Sequence, residues 1–321
     1  MKIISASAPG KVILLGEHAV VYGFPAIAMA ITLRSTCTIE SVNQGIRLIL
    51  KDYNSDFNYR DLNQLKKEIP FNFRQISLIL DIIRNNYNID SLNIKITLGS
   101  QILSGSGLGS SASVAAALIT ALNTFYDLKL EKSGISNLAY KMEQITHGTP
   151  SGIDNTVCTH GNLIFFKEGL FHFVNVFTDF SLLITYSNIE HNTKQAILNI
   201  KKFKEEQPSL TNKIFKKIGF YTEIGRKKLI NGNLKGLGKI MNQNQNLLER
   251  LHLSNDSISE IISIGLNNGA YGSKITGAGL GGCVITLASD KVLEQILILL
   301  QKKGYKSFIV KLDSGGAMIE K

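Results

Sequence analysis

Residues 102–122 read ILSGSGLGSSASVAAALITAL. A turn needs one or two glycines, but here Gly105, Gly107 and Gly109 fall within five positions, interleaved with Ser104, Ser106 and Leu108. Ser110, Ser111 and Ser113 follow, and then a run of small and apolar residues. Ordering so permissive a backbone costs conformational entropy, so an ordered version implies something for it to bind. The first turn of an α-helix leaves N–H groups unpartnered, and the peptide dipoles place partial positive charge there. Glycines let the preceding backbone curl around an oxyanion, and serine hydroxyls add donors or a metal ligand. The stretch therefore predicts a phosphate cradle opening a helix over 110–126. The plain alternative is a flexible loop before a buried helix. The spacing G-x-x-x-x-G-K-[ST] is absent, and so is G-x-G-x-x-G placed as a dinucleotide fingerprint.

Three further stretches carry chemistry. KITGAGLGGCVITL (274–287) is a second glycine-rich loop, leading into a strand. Alone it fits a bulged hairpin; beside the first loop it points to a shared anionic ligand. In APGKVILLGEHAVVYGFPAIA (8–28), Lys11 stands at the entry to an apolar strand, and Glu17 and His18 stand just past its end. In isolation these read as a solvated lysine and a local hydrogen bond. EQITHGTPSGIDNTV (143–157) places Glu143 and Asp154 on either side of a turn punctuated by Gly148, Pro150 and Gly152. Pro and Gly stop the helix and fold the chain back, so the two carboxylates can approach one pocket. One could hold a divalent cation while the other takes a proton; the competing reading is a helix end with Asp154 capping the next turn.

Composition sets the frame. With 321 residues the chain has room for two domains, each with its own core, and 44% hydrophobic with 19% charged residues is ordinary for a soluble globular protein. No apolar run is long enough to cross a bilayer, and Lys11 and Glu17 interrupt what could otherwise pass for a signal peptide. Cys37, Cys158 and Cys283 have no metal-ligand spacing and fit reduced thiols in the cytoplasm. The formal net charge is +10, part of it in KIFKKIGFYTEIGRKK (213–228). That stretch reads as the solvated face of a helix, and no nucleic-acid or membrane-binding motif accompanies it. A basic protein does attract anionic small molecules.

Strands are expected at 11–16, 35–42, 93–103, 162–166, 170–177 and 181–186, with helices at 110–126 and 136–146. Helices at 193–205, 211–230, 233–250 and 256–268 follow, and strands at 273–276, 282–288 and 306–313 close the chain around a helix at 290–303. Strands and helices do not strictly alternate, so the class is α+β with two domains, 1–180 and 181–321.

Together the quoted stretches resemble the GHMP family of small-molecule kinases, named for galactokinase, homoserine kinase, mevalonate kinase and phosphomevalonate kinase. APGKVILLGEHAVVYG, SGSGLGSSAS and KITGAGLGGC stand in the family's order and span essentially the whole chain. Within the family, the first motif and EQITHGTPSGID are most similar to the mevalonate-phosphorylating branch. The resemblance implies a two-domain α+β fold with the site in the interdomain cleft, ATP and Mg²⁺, and mevalonate as acceptor in isoprenoid biosynthesis. It implies that Ser104 to Ser111 wrap the ATP phosphates and that Ser111 and Glu143 ligate Mg²⁺. It makes Asp154 and Lys11 the catalytic pair, with Glu17 and His18 lining the acceptor pocket. The 274–282 loop, including Gly277 and Ala278, closes over the phosphate and acceptor region. Many members of this branch are homodimers, so a homodimer is an expectation too, with no nucleic-acid or membrane partner. Alternatives are a sister kinase acting on phosphomevalonate or a sugar, and a ligand-sensing homologue without catalysis. The chain departs from the family at Leu103, where proline is common, at Ser113 (alanine) and at Leu280 (glycine).

Overall fold

The computed structural model describes residues 2–147, 150–176, 178–190 and 193–320, with backbone only at 146 and 147. The first half runs β1 (Ile3–Leu15), β2 (Ala26–Ser41), β3 (Ile46–Leu50), β4 (Ser55–Tyr59), α1 (Leu62–Glu68), α2 (Arg74–Asn86) and β5 (Ile94–Ser100). It continues through α3 (Ser110–Tyr126), α4 (Lys132–His147), α5 (Ile153–His160), β6 (Leu163–Lys167) and β7 (Leu170–Phe173). The second half runs β8 (Ser181–Tyr186), α6 (Thr193–Glu206), α7 (Pro208–Ile230), α8 (Leu234–Arg250) and α9 (Asp256–Asn267). It ends with β9 (Gly272–Thr276), β10 (Cys283–Leu287), α10 (Asp290–Lys302), β11 (Ser307–Lys311) and β12 (Met318–Ile319).

Among the described residues the strands form two sheets, one of eight and one of four. The larger has the path β12-β1-β2-β5-β3-β4, with β6 and β7 added along β2. Its spine is the antiparallel pair β1 and β2, in register from Ile3 opposite Glu40 to Leu15 opposite Ile27 with breaks after Pro9 and Ile13. α3 lies across this pair. Ala112, Ala115, Ala116 and Ala117 are fully buried, and side chains this small let the helix sit close to the sheet. Burying serine and threonine in such a helix requires acceptors: Ser113 Oγ donates to Ala8 O at 2.7 Å and Thr120 Oγ1 to Ala116 O at 2.7 Å. The departure at Ser113 thus ties α3 to β1.

The smaller sheet, ordered β11-β8-β10-β9, is antiparallel throughout. It shares one core with the β1–β2 spine, α7 and α8, and its other face packs on α9 and α10. On α7, Ile214, Phe215 and Ile218 are buried while Lys213, Lys216 and Lys217 are exposed, so the basic stretch is the outer face of an amphipathic helix. The chain then returns: Ala317 N–H donates to Thr159 O, Asn162 N–H to Asp313 O, and β12 pairs with β1. Segment 313–320 therefore lies on the larger sheet, away from the rest of the 181–321 unit. Arg34 clamps it, pairing with Asp313 and donating to Gly316 O at 2.7 Å.

α1, α2, β3, β4 and α5 were not expected from the sequence. α4 starts at Lys132, earlier than the expected Ser136, and β7 stops at Phe173. Where α8 crosses β9, Gly238 and Gly272 face each other, and a Cβ at Gly238 would lie 2.3 Å from the carbonyl carbon of Tyr271. Backbone cannot move aside as a side chain can. Gly238→Ala should therefore lose about 1–3 kcal/mol despite its better helix propensity. Urea denaturation should show a lower midpoint at an unchanged slope.

Candidate active site

The pairing of β1 with β2 shifts register after Pro9 and continues with Lys11 opposite Ala30, while the Lys11 N–H donates to Leu108 O at 2.9 Å. The Lys11 side chain then runs under the glycine-rich loop, where its ammonium donates to Gly107 O at 3.1 Å and meets Asp154 Oδ1 at 3.2 Å. Gly109 makes room for it: a Cβ there would lie 2.9 Å from Lys11 Cγ, and its φ of +74° suits glycine. Lys11 is buried, whereas the Asp154 side chain keeps 30% of its exposure and reaches the cleft.

The cleft itself is a cavity of about 740 Å³. Lys11, Glu17, His18, Ser104, Gly105, Ser106, Gly107, Gly109, Ser110, Ser111, Glu143, Asp154, Gly277 and Ala278 all line it. Leu108 does not; its side chain is buried with Ile102 in the shared core, and it contributes through its carbonyl. Ser106 turns its hydroxyl to Leu103 O at 2.6 Å, bracing the loop. Ser110 and Ser111 open α3, so the first-turn N–H groups of a 17-residue helix face the cavity wall. Asp154 lies in the first turn of α5, and Glu143 comes from α4. Gly148, part of the expected turn between them, lies outside the described residues.

Glu143 is buried, and its Oε2 has no hydrogen-bond partner among the described residues. Burial pushes its carboxyl up to about 8; the negative charge of Asp154 pushes the same way, against Lys11 and the Asn155 N–H. An orphaned carboxyl oxygen in a cavity that Ser111 also lines fits a hard divalent cation, which takes oxygen ligands.

Glu17 and His18 join the two halves of the molecule. Glu17 is fully buried; its Oε1 pairs with the equally buried Lys274 ammonium of β9, and its Oε2 accepts from Asn244 Nδ2 of α8 at 3.1 Å. Burial pushes Glu17 up and Lys274 down, and the ion pair opposes both shifts. His18 Nε2 lies 2.8 Å from Ala278 O; a carbonyl only accepts, so Nε2 carries the proton. Burial lowers the imidazole pKa, which favours the neutral ring. Ile13 N–H donates to Thr276 Oγ1 at 2.8 Å. Lys274 is thus a structural cation spent on Glu17 and is absent from the cavity wall. Leu280 takes a left-handed φ of 60° and packs on the second-half core, and its N–H donates to Leu253 O.

The far end of the cleft was not expected from the sequence. There Tyr53 and Phe73 meet edge to face at 5.0 Å, with Asn72, Gln75, Ile76, Leu50 and Leu98 around them. These residues come from β3 to β5 and their connections, and no local motif marks them.

A glycine loop heading a buried helix, with an ammonium and two carboxylates at its tip, defines a site for handling phosphate groups. The family description "GHMP kinases N terminal domain" matches residues 75–162, and "GHMP kinases C terminal" matches 226–306. A mevalonate kinase from Pyrococcus furiosus is 34% identical across the whole of this chain and 99% of its own length. The crystal structure of the Methanococcus jannaschii mevalonate kinase superposes with a TM-score of 0.86 at 31% identity, covering 97% of this chain and 98% of that one. L. major mevalonate kinase in complex with R-mevalonate superposes with a TM-score of 0.82 at 26% identity, over 97% of each chain. The chain belongs to the GHMP kinase family. No helix among the described residues is long and apolar enough to cross a membrane.

Removing one charge of the Glu17–Lys274 pair strands the other in the interior. Glu17→Gln or Lys274→Met alone should cost about 3–5 kcal/mol, while the double variant should recover most of that loss. A double-mutant cycle in urea checks it; additive losses would contradict the coupling.

Proposed function

We propose that this chain is an ATP-dependent kinase that phosphorylates the primary hydroxyl of mevalonate. Full-length similarity to mevalonate kinases supports the reaction. The observation that carries its placement is the Lys11–Asp154 contact of 3.2 Å at the tip of the glycine loop. Among the described residues, Lys11 is the only lysine or arginine that lines the cleft. A phosphorylated acceptor would call for further cations there, so an unphosphorylated one fits better.

In this reading the α3 N-terminus and the Gly105–Ser111 loop hold the nucleotide phosphates, and the Tyr53–Phe73 end takes the base. Ser111 and Glu143 are the residues that would hold Mg²⁺. That ion neutralises phosphate charge when bound. Asp154 faces the acceptor hydroxyl, orients it and accepts its proton, worth roughly 10²–10⁴-fold. Lys11 is a cation and not the base; it anchors Asp154 and stabilises charge on the transferring phosphoryl, worth about 2–4 kcal/mol. His18, Gly277 and Ala278 wall the acceptor side, with Glu17 holding that wall to the second half of the molecule through Lys274. Phosphoryl transfer needs mainly positioning and charge stabilisation, and these groups supply both.

Incubation with ATP, Mg²⁺ and each of mevalonate, phosphomevalonate and galactose, with products identified by mass, tests the reading. Only mevalonate should gain a phosphoryl group; phosphorylation of another acceptor in its place would overturn the assignment. Asp154→Asn should lower kcat by about 10²–10⁴-fold while calorimetry still shows ATP binding. Ser111→Ala should raise the Mg²⁺ concentration needed for half-maximal rate, and an unchanged Mg²⁺ titration would contradict its ligand role.

A further inference from the structure

Glu190 lies between β8 and α6, in the second half of the chain, yet its side chain rests on the phosphate loop of the first half. A Cβ at Gly105 would lie 2.8 Å from Glu190 Cγ and 2.9 Å from its Oε1. Its backbone is gripped from the other side by the second glycine loop. Gly282 N–H donates to Ile189 O at 2.9 Å, and a Cβ at Gly281 would lie 2.8 Å from Glu190 O. Both loops are cut back to hydrogen around this one residue. The carboxylate lines the cleft and forms no hydrogen bond or ion pair among the described residues.

An unpaired anion beside a phosphate loop is a liability unless it meets donors. The loop itself says which part of the nucleotide it meets. Ser104 Oγ lies 3.5 Å from Tyr53 Oη, at the aromatic end of the cleft, while Gly107 O and Leu108 O are engaged by Lys11 at the transfer end. Gly105 sits between them. A nucleotide laid along this loop, base at Tyr53 and terminal phosphate at Lys11, puts its sugar beside Glu190 where the phosphate-holding stretch begins at Gly105, with the phosphates running on from there toward Ser111. A sugar's vicinal hydroxyls are two donors well matched to one carboxylate.

We propose that Glu190 is the ribose-reading residue of this enzyme, accepting from the sugar hydroxyls of ATP and selecting ribonucleotides over deoxyribonucleotides. The proposal rests on the kinase reading above. The test compares ATP, 2′-deoxy-ATP and 3′-deoxy-ATP as phosphoryl donors to mevalonate in the wild type, Glu190→Ala and Glu190→Gln. In the wild type, kcat/KM for ATP should exceed that for at least one deoxy analogue by roughly 10- to 100-fold, the size of a hydrogen bond to a charged group. Glu190→Ala should cut the ATP value to the level of that analogue and leave the analogue itself unchanged, so the ratio collapses to within about twofold. Glu190→Gln should fall between, and KM for mevalonate should not move. A wild type that does not discriminate, a ratio that survives in Glu190→Ala, or a KM for ATP that falls when the carboxylate is removed would each overturn the assignment. In all three cases turnover with ATP persists and the kinase reading stands. Absence of wild-type turnover with ATP and mevalonate would instead remove that reading, and this one with it.

Discussion

Burying the Lys11 ammonium is the constraint around which the first half of the molecule is arranged. Taking that charge out of water costs several kcal/mol unless it is paired and hydrogen-bonded. Its compensation comes from Gly107 O at 3.1 Å and Asp154 Oδ1 at 3.2 Å, on two segments far apart in sequence. Bringing both to one nitrogen goes with a register shift in β1 just before Lys11 and with the bond from the Lys11 N–H to Leu108 O of the loop. It requires residue 109 to lack a side chain, and α5 to begin where its first turn meets the loop. Solving one desolvation problem therefore builds the phosphate loop, the lysine and the carboxylate into a single unit.

The second half is held to that unit by buried polar contacts and not by apolar packing alone. Glu17 reaches Lys274 and Asn244, His18 reaches Ala278, and Ile13 reaches Thr276. Apolar surfaces can slide past each other at little cost, whereas an ion pair and three directed hydrogen bonds have one satisfied register. That register sets where Gly277 and Ala278 stand relative to Lys11. The first and third motifs are thus two sides of one seam, which explains why residues so distant in sequence belong to the same site.

Much of this was legible in the sequence, for identifiable reasons. The glycine loop and the helix it opens announced themselves because glycines followed by serines mark a loop and an alanine-rich run marks a buried helix. The helices after residue 193 carried a clear 3.6-residue period. The burial of Lys274 against Glu17 had no local signal, because the two residues lie far apart in sequence and meet only in the folded chain. α5 was missed because Gly152 and Gly161 bracket only eight residues, too short for a periodic signal. The aromatic end of the cleft was invisible because Tyr53 and Phe73 come from separate segments and meet only after the sheet has formed. Glu190 was equally silent, since nothing local distinguishes one exposed glutamate from another.

The two carboxylates at the loop tip sit in contrasting environments. Asp154 reaches the cleft and is paired with the Lys11 ammonium, where the proposed reaction puts the acceptor hydroxyl. Glu143 is sealed in with an unpartnered oxygen, and burial together with the charge of Asp154 raises its pKa. Such a group gains most from a cation that supplies the missing partner and relieves the crowding of like charges. Environments that differ this much favour the proposed division, in which Glu143 would hold the cation and Asp154 would face the acceptor hydroxyl. Exchanging them would put the cation on the carboxylate already paired with Lys11 and the acceptor beside the one whose pKa is raised, so the proposed division of labour follows from burial together with the charges of Lys11 and Asp154.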